Sequence, residues 1–246
     1  MIKPKIGIQL YSVREALAED FRGTLAKLSE LGFKGVEFAL NYGGMAPAEL
    51  AELLKEQNLQ AIGIYEAINN ICNPDAEVYA QAAALGCKHL TFGFTLPQLK
   101  EDFEKCLDTC RKAVKTASSK GLTICYHAHD HEFQKLEDEY YLDLLLNAPG
   151  LETMAFEADT CWIQQGGEDV VGYMNKYAER IPLLHVKDVS AEGQITELGN
   201  GVIDFEAVAD FAKANDIPWL SYEQDVSSLP GLESATISIE HLKNYM

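Results

Sequence analysis

The chain has 246 residues, the size of one large domain or two small ones. Apolar residues make up 47% and charged residues 24%, which is typical of globular proteins and excludes disordered and fibrous classes. The 20 basic residues against 38 acidic ones give a net charge of −18, so nucleic acids and anionic membrane surfaces are poor partners.

The sequence shows no targeting or membrane segment. The first residues, 1–14, are basic and then apolar for only about six residues, too few for a signal-peptide core. No run approaches the roughly 20 apolar residues of a membrane-spanning helix. The six cysteines include no C-x-x-C pair and do not resemble a small disulfide scaffold. We therefore expect reduced thiols and a cytoplasmic location.

Short apolar runs rich in β-formers alternate along the chain with segments that have the period of a helix. The predicted strands, numbered one to eight in chain order, cover residues 6–11, 35–40, 60–65, 89–94, 122–127, 153–158, 182–187 and 219–224. A helical pattern follows each strand, and glycine stands where three of these helices should end, at Gly32, Gly86 and Gly121.

Eight strand–helix units in strict alternation predict a parallel sheet covered by helices. The α/β architecture that matches this number of units at about 250 residues is the (β/α)8 TIM barrel. A doubly wound open sheet is the alternative, but no G-x-G-x-x-G follows the first strand. No linker or repeat divides the sequence, so we expect one TIM-barrel domain over residues 1–246.

In such a barrel the chemistry takes place at the carboxyl ends of the strands. The densest group of polar residues there is Y-H-A-H-D-H-E-F at 126–133, around the end of strand five. If this strand continues to residue 129, the two-residue period places His127 and His129 on one face, with Glu132 on the following loop. A solvated loop that happens to be rich in histidine is the alternative interpretation.

Strands six, seven and eight end with Asp159, His185 and Glu223. With a fourth oxygen or nitrogen ligand from strand five, these side chains suit Mn²⁺, Mg²⁺, Co²⁺ or Zn²⁺ rather than soft metals. Each has a structural alternative: a helix N-cap for Asp159, a hydrogen-bonded core histidine for His185 and an ion pair with Lys187 for Glu223. Taken together at matching strand ends, they predict one divalent metal ion as cofactor.

Two further charged residues end strands of the predicted barrel. Glu37 closes strand two and is a candidate acid or base, with a structural salt bridge as the alternative. Lys187 follows His185 by two residues, so it lies on the same strand face and could neutralise an oxyanion or a carboxylate.

The chain resembles the xylose isomerase-like barrel enzymes, a family often called sugar phosphate isomerases/epimerases. The resemblance covers essentially the whole chain. It is carried by I-G-I-Q-L-Y-S-V-R at 6–14, G-V-E-F at 35–38, Y-H-A-H-D-H-E-F at 126–133, E-A-D-T-C-W-I-Q-Q-G-G at 157–167, H-V-K-D at 185–188 and G-N-G-V-I-D-F at 199–205. The motifs of strands five and six together are the specific ones.

The resemblance implies one divalent ion bound by an acidic residue of strand five together with the three candidates above. Many members have glutamate at the position of His127, and a subgroup with Y-H-N-H-x-x-E-F is similar to this sequence except at Ala128. Either Glu132 supplies the missing carboxylate from the loop, or His127 binds the metal. We favour Glu132, which gives the expected metal ligands Glu132, Asp159, His185 and Glu223.

The chemistry that the resemblance implies is proton abstraction next to the carbonyl of a sugar or sugar derivative, through a metal-stabilised enediolate. Isomerisation or epimerisation is the favoured outcome. The expected catalytic residues are His127, Glu37, Glu223 and Lys187. The expected substrate-binding residues are Gln9, Tyr11, His129 and Trp162.

Other functions stay open. One is a dehydratase or lyase acting on a keto-inositol or 3-keto sugar, and another is a non-catalytic sugar-binding barrel. A metal-free barrel that forms a Schiff base on Lys187 is a further alternative, whereas the net charge disfavours an apurinic endonuclease. We expect a small sugar or cyclitol as partner, without phosphate because no basic residue flanks residues 199–201. A homo-oligomer is possible, since dimers and tetramers are common in the family.

Overall fold

A computed structural model of the chain describes residues 2–246, and its eight parallel strands close into a barrel. The strands are β1 (Lys5–Gln9), β2 (Gly35–Ala39), β3 (Gln60–Tyr65), β4 (His89–Phe92), β5 (Thr123–His127), β6 (Ala155–Asp159), β7 (Leu183–Val186) and β8 (Trp219–Tyr222). Neighbours in sequence are neighbours in the sheet, and β8 pairs with β1 to close it. The predicted (β/α)8 TIM barrel is therefore confirmed.

Twelve α-helices connect these strands within the described part of the chain. They are α1 (Arg14–Glu19), α2 (Phe21–Leu31), α3 (Pro47–Glu56), α4 (Ile68–Ile71), α5 (Glu77–Leu85), α6 (Leu96–Glu101), α7 (Phe103–Ser119), α8 (Tyr141–Leu146), α9 (Thr160–Gln165), α10 (Val170–Lys176), α11 (Phe205–Ala214) and α12 (Gly231–Leu242). The sequence pattern predicts eight of them. It misses α1, α4, α6 and α9, which have only four to six residues and give a weak helical period, whereas the equally short α8 is predicted from the spacing of Tyr141, Leu144 and Leu145.

Near the predicted site, β1 ends two residues before its apolar run, and β5 ends with its run at His127 without continuing to residue 129. The chain leaves β1 at Gln9 and forms a 3-10 helix over Leu10–Val13, where the Gln9 side chain accepts the backbone N–H of Tyr11. Likewise β5 ends at His127, and a 3-10 helix follows at Asp130–Phe133. These short helices bend the chain over the carboxyl end of the barrel.

The main core lies between the barrel and its helices, and fully buried side chains such as Phe38, Phe92 and Phe156 fill it. Burial of each such side chain stabilises the fold by about 1.5–3 kcal/mol. A separate apolar group, here termed the floor cluster, is formed by Ile62, Cys125, Ala155, Leu183 and Trp219. These residues come from the early part of their strands, so the floor cluster closes the amino end of the barrel.

A glycine makes room for the floor cluster. A Cβ atom on Gly35 would lie 2.5 Å from Ile62 Cγ2 and 2.9 Å from the Trp219 ring, which is too close for any side chain. The large indole is thereby accommodated inside a barrel of only eight strands.

The structure bears on two expectations, reduced cysteines and the lack of a membrane-spanning helix. The six cysteines are all buried free thiols rather than disulfides. No helix among residues 2–246 has both the length and the apolar character needed to cross a bilayer.

A buried carboxylate ties α8 to α10. Asp143 accepts hydrogen bonds from the hydroxyls of Tyr173 at 2.8 Å and Tyr177 at 2.6 Å, and from Lys176 Nζ at 2.6 Å. Burial would raise the pKa of Asp143, but the hydrogen bonds from Lys176 and the two tyrosines outweigh it and lower that pKa. The ionised carboxylate therefore stabilises the packing of the two helices.

We predict that Asp143→Asn lowers the free energy of unfolding at pH 7 by about 2 kcal/mol, because hydrogen bonds to a charged acceptor are lost. Since the folded pKa of Asp143 is lowered, its contribution is complete above its unfolded pKa of about 4 and is lost as the pH falls through the folded pKa. Urea unfolding between pH 7 and 3 should show the difference from wild type shrinking below about pH 4. A difference that is constant with pH would contradict this account.

Candidate metal centre

Four ionisable side chains meet where β5 to β8 end. His127 and Asp159 are the last residues of β5 and β6, His185 lies on β7, and Glu223 directly follows β8. The sheet register places Asp159 opposite His185. All four are buried, and one ligand atom from each lies within 4.8 Å of the others. We call His127, Asp159, His185 and Glu223 the strand-end cluster.

His185 connects this cluster with two glutamates on the floor side. Its Nδ1 lies 3.0 Å from Glu223 Oε2, whereas its Nε2 lies 2.7 Å from Glu37 Oε2 and 3.5 Å from Glu157 Oε2. Burial opposes a charge on His185, but the negative charges of Glu157, Glu37 and Glu223 outweigh it and hold its pKa well above the ordinary value. Burial, together with the charge of Glu157, raises the pKa of Glu37 to about 7.

Glu157 also lies in this site, although the sequence analysis assigns it no role. Its Oε2 lies 3.2 Å from His127 Nδ1, and its Oε1 accepts a hydrogen bond of 3.2 Å from Thr91 Oγ1. Burial favours its neutral form, but the charge of His185 and the contact with His127 outweigh this and lower its pKa. The signal was present, because Glu157 precedes Asp159 by two residues and therefore shares its strand face.

Lys187 lies among carboxylates and is fully buried. Its Nζ is 3.1 Å from Asp159 Oδ2, 2.8 Å from Glu223 Oε2 and 2.5 Å from Asp225 Oδ2. Burial alone would lower the pKa of Lys187, but these three carboxylates raise it well above its ordinary value. A Schiff base requires a neutral amine, so this environment disfavours the lysine-based alternative.

Glu132, the expected ligand from strand five, lies outside the strand-end cluster. Its Oε1 accepts the hydroxyl of Tyr126 at 2.7 Å, and its Oε2 accepts the backbone N–H of His129 at 2.8 Å. It groups with His129 and His131 instead. The carboxylate is used to fix the 3-10 turn after β5, and His127 takes the place beside the other three residues.

Two of the four expected substrate-binding residues lie beside the strand-end cluster. The His129 ring centre is 4.9 Å from that of His127 and 5.5 Å from that of Trp162. The Lys187 ammonium lies 4.6 Å from the centre of the Trp162 ring. Burial and the charges of His127 and Lys187 lower the pKa of His129 to about 3, so its ring is neutral at pH 7.

Gln9 and Tyr11 have different surroundings. The Gln9 side chain is buried and caps the 3-10 helix that follows β1. Tyr11 is 44% exposed, and its ring stacks beneath the Arg14 guanidinium at 4.2 Å. The contacts described for these two residues do not include the strand-end cluster.

The donors of the strand-end cluster suit a divalent ion. Carboxylate oxygens and imidazole nitrogens are ligands for Mn²⁺, Co²⁺ or Zn²⁺. Asp159 uses Oδ1 as an N-cap, accepting the backbone N–H of Cys161 at 2.9 Å and of Trp162 at 3.1 Å. Its Oδ2 is buried and lies 3.1 Å from Lys187 Nζ, an ion pair without hydrogen-bond geometry. One oxygen of Asp159 thus caps α9, and the other is available to an ion.

A cavity of about 670 Å³ borders this end of the barrel, and its lining includes Trp162, Gln165, Gln194 and Gln224. Amide and hydroxyl side chains predominate in that lining, which fits a neutral polar molecule. Another cavity, of about 730 Å³, lies at the amino end next to Trp219, and its lining includes no residue of the strand-end cluster.

Residues 25–245 match the family described as Xylose isomerase-like TIM barrel. The chain belongs to this family. A curated relative, an inosose dehydratase from Clostridium beijerinckii, is 27% identical in an alignment of 165 positions that covers 58% of this chain and 55% of the relative. The chain thus spans about half the length of the curated relatives that it matches.

Solved structures of low sequence identity share the fold. A sugar phosphate isomerase/epimerase from Parabacteroides distasonis superposes with a TM-score of 0.79 at 22% identity, covering 97% of this chain and 98% of the other. The 3-keto-D-glucoside 4-epimerase of E. coli gives a TM-score of 0.76 at 16% identity, covering 98% and 100%. At these identities, the likeness establishes the xylose isomerase-like barrel and no more.

We predict that Lys187→Met lowers the free energy of unfolding by about 3 kcal/mol, because it leaves buried carboxylates without their cation. Urea unfolding at pH 7 in the presence of a chelator measures the loss. The matched control is Lys213→Met, since Lys213 pairs only with Asp210 on the surface of α11 and should contribute less than about 0.5 kcal/mol. Equal losses in the two variants would show that the Lys187 ion pairs do not stabilise the barrel.

Proposed function

We propose that the chain is an enzyme that binds one divalent metal ion through His127, Asp159, His185 and Glu223. Its reaction is the isomerisation or epimerisation of a sugar or sugar derivative, by removal of a proton next to a carbonyl. The observation that carries the proposal is the convergence of these four buried donors from four consecutive strands. The bound ion would supply Lewis-acid polarisation of the carbonyl.

The side chains around the cluster have separate roles in this proposal. Burial would favour a neutral Glu223, but Lys187 and His185 lower its pKa well below the ordinary value. The lowered pKa keeps Glu223 ionised, as a ligand of a divalent ion must be. The charge on Lys187 opposes negative charge that develops nearby. His129 and Trp162 border the same space and orient the substrate through a neutral imidazole and an aromatic face.

The substrate proposed is without phosphate. In many barrels, backbone N–H groups of the late loops bind a phosphate. Here the N–H groups of Gly199 and Gly201 both donate to Asp188 Oδ2 at 2.9 Å, and that of Ile203 donates to Asp188 Oδ1 at 3.2 Å. A carboxylate of the chain therefore occupies the position at which these amides would receive an anion.

Dehydration of a keto-inositol is the second candidate, and the curated inosose dehydratases favour it. It would begin with the same proton abstraction and continue with loss of a hydroxyl group from the neighbouring carbon. The two candidates therefore share the strand-end cluster and differ in the fate of the substrate.

We predict that the metal-loaded protein exchanges a carbon-bound proton of its substrate with solvent. The protein is incubated in D₂O with ketoses, keto-inositols and 3-keto sugars, and proton NMR follows the signal next to each carbonyl. Deuterium in an isomer of the substrate supports isomerisation or epimerisation, whereas loss of water identifies the dehydratase. Chelation and Asp159→Asn should both abolish the exchange. Saturable binding of a sugar with neither exchange nor turnover would identify a binding protein instead.

We predict that His127→Ala loses bound metal, whereas Glu132→Gln retains it, because only His127 lies among the other proposed ligands. The metal content after gel filtration, measured by mass spectrometry, tests this directly. Circular dichroism verifies that both variants are folded. Retention in His127→Ala together with loss in Glu132→Gln would return the ligand role to Glu132.

A further inference from the structure

Two glutamates lie on the floor side of the strand-end cluster and have no solvent exposure. Glu37 comes from β2 and Glu157 from β6, and their carboxylates each lie beside a buried imidazole. Neither belongs to the strand-end cluster, although both form a second group with His185. Burying a carboxylate away from water costs free energy, so two buried carboxylates beside imidazoles indicate a role in the site.

The two nitrogens of His185 face opposite sides. Nδ1 points to the strand-end cluster, 3.0 Å from Glu223 Oε2 and 4.0 Å from Asp159 Oδ2. Nε2 points away from it, 2.7 Å from Glu37 Oε2. A histidine that binds an ion through one nitrogen donates its N–H from the other, and the acceptor of that N–H fixes the tautomer and the rotation of the ring. Glu37 is in the position of that acceptor.

His127 also has a carboxylate beside it, at ion-pair distance but without hydrogen-bond geometry. Its Nδ1 lies 3.2 Å from Glu157 Oε2, which leaves Nε2 as the nitrogen available to an ion. Glu157 is itself oriented by the hydrogen bond from Thr91.

Glu37 is confined as well. A Cβ atom on Gly63 would lie 3.1 Å from Glu37 Cγ. Glycine at position 63 therefore leaves the space that the Glu37 side chain occupies. Both carboxylates are thus fixed by the barrel itself before any ion binds.

We infer that Glu37 and Glu157 are positioning residues, which act through His185 and His127 and do not contact the substrate. The inference rests on the proposed function, because it assumes that the two histidines bind a metal ion. It replaces the expectation that Glu37 is the acid or base of the reaction. A carboxylate with no exposed surface, directed at an imidazole nitrogen, orients that ring and increases its basicity as a ligand.

The test uses Co²⁺, whose affinity and visible absorption spectrum report the ligands without any need for turnover. We expect Glu37→Leu to weaken Co²⁺ binding by about 10- to 100-fold and to change the spectrum. Glu37→Gln should weaken Co²⁺ binding less than Glu37→Leu does, since the amide oxygen of glutamine can still accept the N–H of His185. Glu157→Gln should weaken binding through His127. Competition with a chelator gives the affinities, and Asp143→Asn is the control that removes a buried carboxylate far from the strand-end cluster.

The outcomes separate the two proposals. Wild-type Co²⁺ affinity and spectrum in folded Glu37→Leu and Glu157→Gln would overturn the positioning role while leaving the metal site intact. Failure of the wild-type chain to bind Co²⁺ would overturn both. If Glu37→Leu does not fold, Glu37→Gln decides: an intermediate affinity with an altered spectrum supports the inference, and an unchanged affinity refutes it. A loss of the same size in Asp143→Asn would also refute it.

Discussion

The imidazole of His185, held between carboxylates on both sides, is the contact on which the arrangement of this barrel end depends. A buried charge is costly in a protein interior unless it is paired and hydrogen-bonded. Glu37 and Glu157 on one side and Glu223 on the other offset the cost of charging the ring, and an ion bound at Nδ1 would take the place of one of its protons. The Lys187 ammonium likewise offsets the cost of burying the charges of Asp159 and Glu223. Because each group stabilises the next, removing any one of them leaves an uncompensated charge.

The fold positions this network through the parallel register of neighbouring strands. Strand ends in a closed parallel barrel all point to the same face, so one residue from each strand is enough to build a site. The Asp159 carboxylate takes part both in the fold and in the site. One of its oxygens begins α9, and the other faces the strand-end cluster. The same side chain therefore serves local structure and the proposed chemistry.

Strand periodicity predicts much of this architecture from the sequence. A two-residue period with apolar runs is sufficient to give the barrel, and it brings Asp159, His185 and Glu223 to one place because each ends its own strand. The same rule applies to Glu157, whose spacing from Asp159 indicates a shared face. Short helices give a weak periodic signal, so α1, α4, α6 and α9 are not predicted, although α8 is.

The ligand from strand five shows the limit of spacing arguments. The position of Glu132 depends on a 3-10 turn and on the hydroxyl of Tyr126, which is six residues earlier in the chain. Neither contact has a periodic signature. A carboxylate in a loop can turn toward the barrel axis or toward its own backbone, and only the three-dimensional packing distinguishes the two.

The floor cluster closes one end of the barrel to small molecules. Trp219 and Ile62 fill the amino end of the barrel, whereas Trp162 and His129 border the charged centre at the carboxyl end. In the proposed enzyme, reactant and product would therefore use the same end of the barrel. They would compete for that approach, so the accumulation of product would slow the entry of new substrate.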